Sequence, residues 1–393
     1  MRSTYLRETA IAAAMLVSAA SAASAQTVNG GGSSLAGPTY QAAFSAYNVN
    51  NPSAPVSFSY YIIGSGAAQS AFVNQTPSTF ALPAGSTVHF AASDATISAG
   101  LLSTWNSTRA ATAGSLVQVA TFGTPITAAF NAITNGSGGN ISSLSLTEAK
   151  VCGIFSGRIN DVSTLVSGVP TGTTLNVVYR SDNSGTTFLL TQHLNAVCGT
   201  PTSTGLTGQT EPVTFTATQN FASLFGGTAP TNFTGASGSG GVKAAVIGAS
   251  NVIGYLSPDY TQIAPVHTGD TSFPLVASVT NLNNSTSYAP NYTNANTALN
   301  TSTAGGVPVV ANPSVGYPIV GYTTWDLASC YSNGGVVSQI QAFLNSLYND
   351  YLDSTLNANG FAAASTAVQN SGLDAVGAIA QGGTGACSSL AGL

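Results

Sequence analysis

Three strand-to-helix junctions of this chain are built from glycine and hydroxyl residues. Gly30-Gly31-Gly32-Ser33-Ser34-Leu35 precedes a helical run around Thr39 to Tyr47. Gly64-Ser65-Gly66 separates the strand-like Val56 to Ile63 from the helical Ala67 to Asn74, and Ser184-Gly185-Thr186 separates the strand-like Leu175 to Tyr179 from the helical Phe188 to Ala196. Val88 to Ala92 reads as a further strand, and Val336 to Asp353 has the apolar spacing of one long amphipathic helix. Strands alternating with helices predict an α/β fold. A helix N-terminus with free N–H groups favours an anion, and glycine lets backbone approach its oxygens. The polar stretches Gly226 to Gly241 and Asn281 to Gly306 read as loops or insertions, and no repeat of fixed period is present.

The chain has 393 residues, enough for two or three compact units at roughly 100–200 residues each. Charged residues are only 5%, against about 25% in an ordinary soluble domain, while apolar residues make up 44%. Disordered chains combine low hydrophobicity with high charge, so this composition excludes disorder. Seven Lys and Arg in total exclude a basic nucleic-acid binder. Arg2 and Arg7, the apolar run Ile11 to Val17 and the small residues ending Ala23-Ser24-Ala25 read as a signal peptide over 1–25, cut before Gln26. Cys does not follow the cut, which predicts no lipid anchor, and no later apolar run has the length of a membrane span. We therefore expect an exported, periplasmic or secreted chain, without membrane anchor or nucleic-acid partner.

Cys152, Cys198, Cys330 and Cys387 are an even set in an oxidising compartment and predict two disulfides, with three connectivities open. There is no C-x-x-C, and His89, His193 and His267 are scattered, so no metal or cofactor is expected. Beyond the leader only three arginines occur, and Arg180 lies two residues before Asp182 and four before Ser184. A guanidinium oriented by a carboxylate suits phosphate, while a surface ion pair is the bland alternative. The remaining polar landmarks take structural readings: the three histidines packed or on the surface, Trp105 and Trp325 in the core, Asp350 and Asp353 on a solvated helix face, and Arg109, Lys150, Arg158 and Lys243 as surface charges. No G-x-S-x-G elbow and no G-K-[ST] phosphate loop occurs.

Four blocks in order, N-G-G-G-S-S-L at 29–35, I-G-S-G at 63–66, A-S-D at 92–94 and R-S-D-N-S-G-T-T-F at 180–188, resemble the phosphate-binding proteins of the high-affinity phosphate ABC transporter (PstS type), and most of all their secreted DING relatives. I-F-S-G-R-I-N-D at 154–161 and V-I-G-Y-L at 252–256 are similar to further stretches of that family. The resemblance implies a two-lobed periplasmic-binding-protein fold (type II), with two hinge crossings and a ligand cleft. With crossings near Thr121 to Pro125 and Gly316 to Gly321, it places lobe I at 26–124 and 317–393 and lobe II at 125–316. Bridges that leave the hinge free then pair Cys152 with Cys198 and Cys330 with Cys387.

Carried over position by position, the resemblance gives phosphate Ser34, the Leu35 amide, Ser65, Asp94, Arg180, Ser184, Gly185 and Thr186, with Asp182 orienting Arg180. Ser34 stands where many relatives have Thr, which keeps the hydroxyl. Gly66-Ala67-Ala68 replaces the Ser-Gly-Gly of many transport proteins, Thr27-Val28 replaces the Asp-Ile of the DING name, and Asn183 replaces a common Gly. An ionised Asp94 accepts only, so it pairs with a protonated phosphate and opposes sulfate, which brings no proton. The expected function is phosphate binding by a monomer that delivers its ligand to an ABC permease. The alternatives are a secreted phosphatase of the DING type and an extracellular scaffold. So few titratable groups also suggest a protein that tolerates acid.

Overall fold

The computed structural model describes residues 26–393, so the leader assigned to 1–25 lies outside the described residues. Ten strands form two five-stranded sheets. They are β1 (Val28–Gly32), β2 (Phe58–Ile62), β3 (Phe90–Ser93), β4 (Leu116–Pro125), β5 (Thr127–Asn131), β6 (Asn176–Arg180), β7 (Phe233–Ala236), β8 (Val252–Leu256), β9 (Leu275–Val276) and β10 (Val320–Ala328). The first sheet runs β2-β1-β3-β10-β4, and the second β9-β5-β8-β6-β7. In the first, β1 is parallel to β2 and β3, while β10 returns antiparallel between β3 and β4. In the second, β6 lies parallel to β7 and β8, and β5 is antiparallel to β8 and β9.

Five helices position the site and cover the sheets: α1 (Gly37–Asn50), α2 (Ser65–Asn74), α3 (Gly185–Val197), α4 (Gly238–Ile247) and α5 (Gly334–Tyr348). The apolar stripe Val336, Ile340, Phe343, Leu344 and Leu347 buries α5 against the first sheet. There Trp325 of β10 stacks on Phe90 at 4.2 Å between ring centroids and meets Phe343 at 5.5 Å. Each such fully buried large side chain contributes about 1.5–3 kcal/mol. The core of the second lobe gathers Phe155, Tyr179, Phe221, Phe233 and Tyr255.

The chain passes between the sheets at two adjacent places. Only Ile126 separates β4 from β5, and its N–H donates to the Ile319 carbonyl just before β10 at 2.8 Å. Tyr317 O–H donates to the Ile126 carbonyl at 3.0 Å, so both crossings are stitched together. The fold is thus a two-lobed α/β architecture. Disulfides join Cys152 to Cys198 and Cys330 to Cys387, the pairing implied by the resemblance.

Several sequence expectations need correction. The stretch 226–241 is not all loop: it contains β7 and opens α4, whose Val242 and Val246 are buried. The stretch 281–306 holds a strand at Thr286–Tyr288 and a helix at Tyr292–Leu299, and buried Asn281 ties it to the carbonyls of Pro313 and Gly316. The C-terminal helix ends at Tyr348; Asp350 takes a left-handed φ of 64°, and a new helix begins at Asp353. Asp353 is half-buried, and burial reinforced by the Asp350 charge pushes its carboxyl up to about 6. Arg158 is no free surface charge, because it pairs in a fork with the buried carboxylate of Glu211. Lys243 sits 3.4 Å over the Phe273 ring.

Candidate functional site

Every junction singled out in the sequence lies at the carboxyl end of a parallel strand, where ligands of open α/β sheets bind. β1 ends in Ser33 and Ser34 before α1, β2 in the turn before α2, β3 in Asp94, and β6 in the loop before α3. Local chemistry shapes each turn. Ser33 Oγ accepts the Ala36 N–H at 3.1 Å, and Ser184 caps α3 by accepting the Thr187 N–H at 3.2 Å. Both hydroxyls keep their protons to donate.

Arg180 closes the site from the second lobe. It is 2% exposed, and its Nε and Nη2 donate to Asp182 Oδ1 and Oδ2 at 2.7 and 2.5 Å. Asp182 Oδ1 also accepts the Gly238 N–H at 3.0 Å. Burial alone would raise the Asp182 carboxyl, but the Arg180 guanidinium overrides it and holds the group below its usual range. Nη1 points instead at neutral oxygens, Thr186 Oγ1 at 3.3 Å and Ser239 Oγ at 3.4 Å. A buried cation with one face turned to weak, long contacts is an anion site in chemical terms.

Opposite lies Asp94, 1% exposed. Ser33 Oγ donates to both its oxygens at 2.8 and 2.9 Å, and Ser65 Oγ reaches Oδ2 at 3.4 Å. Burial pushes this carboxyl up to about 6, against the hydroxyls of Ser33, Thr323 and Ser65 and the Arg180 charge.

The structure brings Ser34, Arg180 and Thr186 together through Ser239, and sets Gly185 against Ser65 and Asp94. Ser34 Oγ accepts the Ser239 N–H at 3.2 Å, and Ser239 reaches Arg180, which reaches Thr186. Beside Thr186, a Cβ on Gly185 would stand 2.5 Å from Ser65 Oγ and 2.6 Å from Asp94 Oδ2. Leu35 is buried, and its carbonyl accepts from Ser257 Oγ of the second lobe at 3.0 Å. Gly66 N–H to Asn183 O at 3.2 Å and Gln219 Nε2 to Gln69 Oε1 at 3.1 Å add further bonds between the lobes. Beside them opens a groove of about 440 Å³ with no charged side chain in its lining, among it Ser70, Thr96, Asn183, Phe188 and Gln219.

Sequence reasoning missed Ser33, Ser239 and Tyr255. Ser33 stands inside the first glycine-serine junction, next to the serine assigned to the ligand. Ser239, in a glycine- and serine-rich stretch, was hidden by composition, although Phe233–Ala236 followed by Ser237-Gly238-Ser239 repeats the strand-turn-helix pattern of the other junctions. Tyr255 Oη accepts the Arg180 N–H at 2.9 Å and pairs with Thr187 Oγ1 at 2.7 Å, contacts that only the tertiary fold creates. Among the described residues no group of three potential metal ligands gathers, and no helix is long and apolar enough to cross a membrane.

Two lobes that meet over a ring of hydroxyls, helix N-termini and one buried guanidinium define the class of solute-binding proteins. The model of a PBP superfamily domain matches residues 17–325, and the chain belongs to that superfamily. It is 35% identical over 341 residues to "Alkaline phosphatase L" of Pseudomonas aeruginosa PAO1, covering 86% of this chain and 84% of the relative. A "Phosphate-binding protein" from an unknown prokaryotic organism is 31% identical, covering 92% and 98% of the two chains. Among solved structures, a high-affinity periplasmic phosphate-binding protein of the DING type (PfluDING), with phosphate bound at pH 8.5, is 30% identical with a TM-score of 0.72, covering 88% and 92%. A phosphate-binding protein from Stenotrophomonas maltophilia is 30% identical with a TM-score of 0.74, covering 93% and 99%.

Proposed function

We propose that this chain is an exported solute-binding protein that closes its two lobes on one inorganic phosphate and yields it to the permease of a phosphate ABC transporter. The carrying observation is Arg180: a buried guanidinium, aligned by Asp182, whose Nη1 meets only neutral hydroxyls. Phosphate oxygens take up that unmatched face. Ser34, the Leu35 amide, Ser65, Ser184, Gly185 and Thr186 donate around it, and Asp94 accepts the phosphate proton. The lobes are assigned as 26–124 with 317–393, and 125–316; the paired crossings at Ile126 and Ile319 support that division. The periplasmic relative and the expected leader support an exported location.

Hydrolysis of phosphate esters is the second reading, favoured by the 35% identical relative named as an alkaline phosphatase. One experiment separates the two. Phosphate-stripped protein is titrated calorimetrically with phosphate and then sulfate, beside Arg180→Ala, and the same samples are assayed on a phosphate ester. Micromolar or tighter phosphate binding, lost in the variant and without turnover, supports the receptor. Turnover that depends on Arg180 supports the enzyme, and neither activity removes both readings.

A further inference from the structure

Ser33 is fixed by four hydrogen bonds that leave its hydroxyl one direction. Its N–H donates to the Ala92 carbonyl at 2.8 Å, its carbonyl accepts from Tyr60 O–H at 2.9 Å, and its Oγ accepts the Ala36 N–H at 3.1 Å. The fourth bond is the proton itself, shared between Oδ1 and Oδ2 of Asp94. The amide at Oγ polarises the hydroxyl and strengthens that donation. A hydroxyl held this way stabilises a carboxylate more than a carboxylic acid, because the carboxylate carries a full charge and accepts the proton on either oxygen.

We propose that Ser33 is a specificity-determining residue of the anion site, holding Asp94 as a hydrogen-bond acceptor so that the cleft selects a protonated anion over a fully ionised one. The proposal rests on the phosphate-binding reading above. The other charged or titratable groups around Asp94 are Arg180 and Asp259 from the second lobe, Tyr40 of α1 and Tyr60 of β2. Burial pushes both tyrosine hydroxyls and the Asp259 carboxyl up, and Arg180, already paired with Asp182, is the cation that favours the ionised form of Asp94. Removing the Ser33 hydroxyl leaves desolvation less opposed. Asp94 then takes up a proton nearer neutrality, becomes a donor, and stops opposing sulfate.

The test is the ratio of sulfate to phosphate dissociation constants at pH 8.5 and pH 6.5, for native protein, Ser33→Ala and Ser33→Thr. Each variant is compared with native protein at the same pH, which cancels the titration of phosphate itself. One charge-assisted bond shifts the balance of acid and carboxylate roughly tenfold or more. Ser33→Ala should therefore lower the ratio about tenfold at both pH values, because the shift in the balance of acid and carboxylate is the same factor at any pH, and Ser33→Thr, which keeps the hydroxyl, should recover most of it. Infrared difference spectra of ligand-free Ser33→Ala at pH 6.5 should show a stronger protonated-carboxyl band than native protein, removed by Asp94→Asn. Selectivity that is not lost, or that is lost without the stronger protonated-carboxyl band, overturns the proposal while native phosphate binding stands. Native protein that binds no phosphate overturns the functional reading and this inference together.

Discussion

Gly185 of α3 and Asp94 of the other lobe approach so closely that a Cβ on the glycine would lie 2.6 Å from both the Asp94 amide nitrogen and Oδ2. The obstruction includes backbone, which cannot swing aside as a side-chain end does. Alanine at 185 therefore acts on closure more than on the folding of either lobe. Overpacking of this kind costs about 1–3 kcal/mol, so Gly185→Ala should weaken phosphate binding roughly 10- to 100-fold. The melting temperature of ligand-free protein should move little. Native affinity in the variant would show that the lobes do not meet here when the ligand is bound.

A second prediction concerns a buried pair beneath α3. His193 Nδ1 faces the Ala311 carbonyl at 2.8 Å and so carries the proton, which leaves Nε2 as an acceptor 3.3 Å from Glu148 Oε1. Glu148 Oε2 accepts the Leu282 N–H at 2.8 Å. Burial pushes the Glu148 carboxyl up to about 7 and His193 down to about 4, so below about pH 7 a protonated Glu148 faces a neutral imidazole. A carboxyl whose folded pKa is raised contributes stability at low pH that is lost as pH rises through the folded value. Asp94 and Asp326, raised to about 6 and about 7, act in the same direction. His89 and His193, both lowered to about 4, oppose them only up to their ordinary 6.5. Ligand-free protein should thus lose stability from about pH 6.5 to 8, read as a falling melting temperature. Glu148→Gln, which keeps a donor toward His193 and an acceptor for Leu282, should flatten that fall; an unchanged slope would mean that Glu148 does not titrate in this range.

What was legible in the sequence depends on where the chemistry sits along the chain. Ser34, Ser65 and the run from Arg180 to Thr186 each lie in a short turn beside their own strand, so local pattern exposes them, whereas Asp94 is found through the resemblance alone. Ser239 reaches the same ring from a stretch whose glycines and serines look like loop filler. The Asp326 carboxylate is held by Gln69 and Gln118, more than 200 residues away in sequence, and Arg158 finds Glu211 across 53 residues. No local spacing announces such pairs. The break after Tyr348 was equally hidden, because apolar spacing continues through Tyr351 and Leu352 while Asp350 takes the left-handed turn.

The two disulfides support a third prediction. They close loops with separations of 46 and 57 residues, and each staples one lobe without bridging the crossings. Chain entropy assigns about 4 kcal/mol to a loop of that size. Replacing Cys152 and Cys198 together by alanine should lower the melting temperature clearly yet leave phosphate affinity within a few-fold of native, as calorimetry would read it. A loss of affinity that tracks the loss of stability would mean that the bridge shapes the cleft as well.

The Arg180 and Asp182 pair yields the last prediction, because its two members differ in exposure. The guanidinium side chain is 2% exposed and the carboxylate 24%. Breaking a fully buried pair costs about 3–5 kcal/mol, and the partial hydration of Asp182 brings the expectation for Asp182→Asn down to about 2 kcal/mol in ligand-free protein. The Asn oxygen can still accept from Nε and from the Gly238 N–H, but its amide nitrogen would face Nη2 donor to donor. Ligand-free protein then holds a buried cation without a counter-charge, and bound phosphate supplies one. The substitution should therefore cost the phosphate complex less than it costs the ligand-free protein. By linkage that difference is a gain in affinity, so phosphate should raise the melting temperature of Asp182→Asn by more than it raises that of native protein, and calorimetry should show binding at least as tight. A smaller shift with weaker binding would mean that Asp182 serves the anion by aligning the guanidinium fork, and that its charge is not what phosphate replaces.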